Sequence, residues 1–198
     1  MKKFLGILVL GLFLITPSWA DDIRDFEIEG ISLGDSLLKI YSKKEVETFL
    51  KNKDQINFYP KSKKFIVLAT PGNKGEFDQL NIDLKYSDKK YTIFGISKYK
   101  RMNIEKCLEE KKTALLEIKQ LFSNDAFEED SYKLKHSADK SGNSIYYSTD
   151  IEFESGDAIR LVCTDWGKEF EADGYGDNFD IGLSAKELLD FLINEAYK

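Results

Sequence analysis

The sequence predicts an α+β fold in two layers: a helix followed by a three-strand antiparallel meander, repeated, with a C-terminal helix. Three observations carry that expectation. Leu80, Ile82, Leu84 and Tyr86, and again Ile145, Tyr147, Thr149, Ile151 and Phe153, alternate with polar neighbours, the period of a sheet with one wet face. Between them, Ile104, Leu108, Leu115, Ile118 and Phe122 recur at helical spacing. Finally, Ser42 with Glu45 and Ser184 with Glu187 match the capping-box pattern that starts helices.

Residues 1–20 come first and differ in kind from the rest. Met1, Lys2 and Lys3 form a positive head, Phe4 to Ile15 is uninterruptedly apolar, and Pro17, Ser18 and Ala20 follow. This is the anatomy of a secretory signal cut between Ala20 and Asp21. Twelve helical residues span about 18 Å, too short for a hydrocarbon core of about 30 Å. The expectation is therefore a chain without a membrane span once the signal is removed, comprising residues 21–198 as one domain. With so much Lys over Arg and no Asn-x-Ser/Thr acceptor, the expected address is periplasmic or secreted, in a Gram-negative cell.

In the remaining chain, 26–28 reads as a short strand, 32–35 as a helical turn and 43–52 as a helix with Tyr41 and Val46 flanking its capping box. Strands are predicted at 64–70, 80–86 and 91–100, separated by turn-forming residues at 71–75 and 87–90. A helix over 104–122 opens the second half. Strands at 131–137, 144–153 and 158–166 follow, and the last capping box starts a helix reaching about Tyr197, with Leu183 and Leu188 expected as its staple. The sub-repeats would be 26–101 and 102–198, and Phe26-Glu27-Ile28 is echoed by Phe179-Asp180-Ile181.

The segment Ile31-Ser32-Leu33-Gly34-Asp35-Ser36, followed by Val46 and Leu50, is similar to the Gly-x-Ser start of the first helix in the β-lactamase-inhibitor-like fold of envelope proteins. That resemblance covers about 35 residues by motif and the rest by element order. It implies a helical pair ahead of an antiparallel sheet, a unit that can be doubled, and binding of proteins rather than catalysis.

Cys107 and Cys163 are the two cysteines. In an oxidising compartment they predict one disulfide. Helical spacing sets Cys107 beside the apolar stripe, and strand alternation puts Cys163 with Ile159 and Leu161, so both point into one helix-sheet seam. The bridge should contribute about 4 kcal/mol through the unfolded chain.

Charge narrows the partners. The 198 residues carry net charge −6, and setting Lys2 and Lys3 aside leaves 27 basic against 35 acidic residues, a net −8. Such a surface does not suit nucleic acid, whose affinity rests on cationic contacts to phosphate. Catalytic residues are equally hard to assemble. His136, the single histidine, sits in a strand pattern near a turn, and Ser36-Leu37-Leu38-Lys39 matches Ser-x-x-Lys without a Lys-Thr-Gly partner. The oxygen-rich run 171–180 has the composition of a calcium loop but not the spacing of an EF-hand, and a solvated acidic turn is the better reading.

No catalytic, cofactor-binding or metal residue is assigned, and no cofactor is expected. Tyr175 and Phe179 are candidates for an exposed aromatic contact surface, with an edge strand through Phe179 and Ile181 as the competing reading. The expected function is a non-catalytic binding or protein-interaction module whose partner is a protein or cell-envelope component. The alternative is a small envelope hydrolase using carboxylates.

Overall fold

A computed structural model describes residues 23–72 and 76–198. The expected signal and its cut between Ala20 and Asp21 lie outside the described residues, as does part of the 71–75 turn. Among the described residues, eight strands form one antiparallel sheet. They are β1 (Ile56–Tyr59), β2 (Ser62–Pro71), β3 (Gln79–Lys85), β4 (Ile93–Arg101), β5 (Phe127–Lys135), β6 (Ile145–Phe153), β7 (Ala158–Asp165) and β8 (Asn178–Ser184). The helices are α1 (Lys43–Phe49), α2 (Ile104–Leu121), α3 (Lys168–Ala172) and α4 (Lys186–Asn194). No helix among the described residues is long and apolar enough to cross a membrane.

The class is α+β with an antiparallel sheet, as alternation predicts, but the strands run in one continuous order: β1-β2-β3-β4-β8-β7-β6-β5. Two strands exceed the expected meanders. β1 precedes the first, and β8 is no edge strand: it lies at the centre, pairing Leu183 with Ile96 of β4 and Ile181 with Leu161 of β7. The central position is favoured because Phe179 and Leu183 are buried. It also needs a small residue at Gly182, where a Cβ would come within 3.0 Å of the Ser97 Cβ.

One side of the sheet is covered by α2, α1 and the turns before it. Ile66, Leu68, Ile82, Ile96, Leu161 and Leu183 contribute to this core, together with Ile118 and Phe122 from the second half. Helix α2 is capped by Asn103, whose side chain accepts from the Lys106 N–H at 2.9 Å. Its inward stripe passes through Cys107 rather than Leu108, which is exposed. Cys107 is bridged to Cys163 of β7, their Cα atoms 5.8 Å apart, a separation usual for a disulfide. The predicted bridge thus fastens α2 to the sheet.

The capping box of α1 is formed. The Ser42 N–H donates to Glu45 Oε2 at 2.8 Å, and the Glu45 N–H donates to Ser42 Oγ at 3.3 Å. The box expected at Ser184 does not form, because β8 keeps Ser184 in register with Gly95 and Ala158 and moves the N-cap to Ala185. A residue distant in sequence takes over: Asp157, in the β6–β7 turn, accepts the Lys186 N–H at 2.7 Å. Leu183 and Leu188 form no staple either, since they belong to separate apolar clusters. Helix α4 packs on the second side of the sheet, where Leu188, Phe191 and Ala196 bury Phe65.

Candidate functional site

Helix α4 covers only the β1–β4 end of that second side. Antiparallel register lays out the remainder in rows, because every second residue of each strand faces the same way. One row runs Ser97, Gly182, Arg160, Asp150, Asp130 from β4 to β5; the next runs Tyr99, Asp180, Val162, Ser148, Tyr132; a third runs Arg101, Asn178, Thr164, Tyr146, Leu134. The whole second row, the third row from Asn178 onward, Arg160 of the first and Trp166 just past β7 line an open trough of about 510 Å³. A trough of this size, mostly apolar with a few placed polar groups, is the usual form of a ligand site.

Arg160 and Asp180 are the charged groups of the floor. The Arg160 guanidinium grips Asp150 bidentately, Nε to Oδ1 at 2.8 Å and Nη2 to Oδ2 at 2.7 Å. Tyr132 and Ser148 donate to the same carboxylate. Burial pushes the Asp150 pKa up, but the Arg160 bonds and charge outweigh it and hold it below the usual carboxylate range. Asp180 is different. Among the described residues its carboxylate receives one hydrogen bond, from Ser97 Oγ at 3.3 Å, and Ser97 in turn accepts from Asn81 at 3.4 Å. Burial raises the Asp180 pKa to about 6 against the relief offered by Ser97 and Arg160, with the Asp83 charge adding to the rise.

Asp180 therefore stores an unfavourable charge at neutral pH. Its folded pKa lies above its unfolded value, so its contribution is full below about pH 4 and is lost as pH rises through about 6. Asp180→Asn should raise unfolding stability by about 1–2 kcal/mol at pH 7.5 and change it little at pH 4. Urea denaturation at the two pH values checks this, and an equal effect at both would refute it.

Aromatic rings close one end. Trp166 stacks on Phe170 of α3 at 5.0 Å between centroids and meets Tyr175 at 4.9 Å. His136 packs against both Tyr146 and Trp166 at 4.4 Å. Its Nδ1 accepts the Ala138 N–H at 3.1 Å, which leaves the proton on Nε2, facing Tyr146 Oη at 2.5 Å. Burial lowers the His136 pKa, opposed by the Asp139 charge. The imidazole is thus held neutral as part of the wall.

Of the residues singled out from sequence, Tyr175 joins this cluster and is half exposed. Phe179 does not: it is buried on the helix-covered side beside Cys163, so the contact surface narrows to Tyr175. The acidic run does not converge on a point. Asp177 caps the Trp166 N–H at 2.8 Å while Asp180 faces Ser97, and among the described residues no group of three or more His, Cys, Asp or Glu is placed to hold a metal ion. Ser36 is occupied as a cap and donates to the Lys90 carbonyl. Arg160, Asp150 and Tyr146 escaped sequence reading, although strand alternation had already marked them as the polar half of their strands, and Asp180 entered it only as the last member of the acidic run. No protein-family model, no curated protein and no solved structure matches the chain.

Proposed function

We propose that this protein is exported to the periplasm and acts there as a non-catalytic binding module, receiving a protein or cell-envelope partner on the open side of β5–β8. The trough carries this reading. Tyr, Trp and Arg are the residues most enriched where binding energy concentrates, and here Tyr99, Tyr132, Tyr146, Trp166 and Arg160 gather in one place. The described helices leave that part of the sheet uncovered. The sub-repeat organisation across 26–101 and 102–198, and the likeness to the β-lactamase-inhibitor-like fold, belong with this proposal. In both, a helical segment precedes strands of one antiparallel sheet.

A carboxylate hydrolase would use the contrast between Asp180, raised to about 6, and Asp150, lowered, since acid and base roles need pKa values pushed apart. The hydrogen bonding argues for binding instead. Asp150 accepts from Arg160, Tyr132 and Ser148, leaving little capacity to activate a water. The test is a photo-crosslinking side chain placed at Tyr132, with Leu116 on the outer face of α2 as the comparison. We expect one defined partner, identified by mass spectrometry, from position 132 and its loss with Trp166→Ala. Recovery of that partner from position 116 instead would move the binding surface to the other side.

A further inference from the structure

The open side has an excess of negative charge. Asp130, Asp150 and Asp180 stand in the rows described above, while Glu128 pairs with Glu152 at the end of β5 and β6. The cations sharing this side are largely committed. Arg160 spends two guanidinium nitrogens on Asp150, and Lys85 is ion-paired to Glu187 at 2.7 Å. Arg101, at the end of β4, pairs in register with Asn178 and lies outside the lining of the trough. Asp180 is left at the floor with Ser97 as its hydrogen-bond donor and no ion pair among the described residues.

We propose that the trough is an arginine-recognition pocket, in which Asp180 receives the guanidinium of an arginine side chain presented by a partner protein and the surrounding rings stack on it. This rests on the reading of the open side as a binding surface. The chemistry favours arginine over other cations. A guanidinium is planar, stacks on aromatic faces and matches a carboxylate with two N–H groups. Tyr99 lies directly opposite Asp180 across β4 and β8, Tyr146 is near enough for the Asp180 charge to raise its pKa after burial has done so, and Trp166 lines the same cavity. The cavity volume suits a side chain with its flanking backbone rather than a lone ion.

Protonation of Asp180 removes the charge that the guanidinium needs, so binding should weaken as pH falls through about 6. The titratable and charged groups facing Asp180 are Tyr99 and Arg101 on β4, Asp83 on β3, Arg160 on β7, Asp150 and Tyr146 on β6 and Tyr132 on β5, with His136 behind Tyr146. Because several of these groups share the site, the Asp180→Asn protein is the reference for the pH effect.

The probe is acetyl-Gly-Arg-Gly-amide, titrated into the full chain and followed by the Trp166 indole N–H resonance, assigned by its loss in Trp166→Phe. The uncharged control carries citrulline in place of arginine. Saturable binding is expected, about tenfold or more weaker for citrulline and for Asp180→Asn, with the pH dependence between 7.5 and 5 flattened in Asp180→Asn. Equal binding of the citrulline peptide, or unchanged affinity in Asp180→Asn, would overturn the arginine assignment. So would the lack of any shift from the arginine peptide while crosslinks from position 132 persist, leaving the binding surface intact. Loss of those crosslinks in favour of position 116 would instead sink the binding-surface reading itself.

Discussion

Replacing Cys107 and Cys163 together by alanine should lower the unfolding free energy by about 4 kcal/mol, the value expected from the loop that the bridge closes in the unfolded chain. The bridge spans a sequence separation of 56 and joins the long helix α2 to β7, near the centre of the sheet. Both cysteines are fully buried, and alanine avoids leaving a hydroxyl there without a partner. Ile118 and Phe122 still hold α2 against the sheet, so the variant should fold, with a Tm lower by about 8–16 °C for a domain of this size. Urea unfolding of wild type with and without reductant, against the double variant, measures the effect. Thiol titration of denatured, unreduced protein should find no free sulfhydryl. Two free thiols, or coincident unfolding curves, would remove the bridge from the account.

Phe65→Ala should cost about 3–5 kcal/mol, the range for removing a buried aromatic side chain. Phe65 is fully buried under α4, its ring centroid 4.9 Å from that of Phe191 and 5.3 Å from that of Phe94. This second apolar cluster is small, with Leu188 and Ala196 as its other buried members. Consequently the loss should fall first on α4, whose further ties are the Asp157 cap at its start and exposed ion pairs such as Lys64–Glu195 and Lys85–Glu187, the pairs worth little individually. Hydrogen exchange is expected to show protection lost in 186–196 under conditions where β6 and β7 remain protected. If all elements lose protection together, α4 is not an independent unit.

How far the sequence discloses this architecture depends on whether each signal is local. Helix α2 and the strands β2, β3, β4, β6 and β7 follow from periodicity because one face of each meets a core. The Ser42 box is legible because both partners lie within four residues. β1 escaped because Ile56-Asn57-Phe58-Tyr59 is four residues long and its alternation scarcely emerges. The start of α4 misled because the ladder through Ser184 and the cap from Asp157 are tertiary facts. Likewise, β8 resembles a glycine-broken loop until β4 and β7 are seen on either side of it. The trough was half visible. Alternation shows that Tyr146, Ser148 and Asp150 face away from the core, but an outward-facing row is ordinarily just solvated, and only registry across several strands turns it into a site.

The central place of β8 has a consequence for how the chain is made. Strands β4 and β7 are joined only through β8, which follows both in sequence, so a chain growing from its N-terminus carries two unfilled edges until residues 178–184 have been made. Unpaired edges are templates for pairing with other chains, and domains fold as units once their parts are available. The last strand acts as a keystone. Truncation before Asn178 would leave two separate half-sheets rather than a slightly shortened protein, and commitment to the native sheet waits for β8.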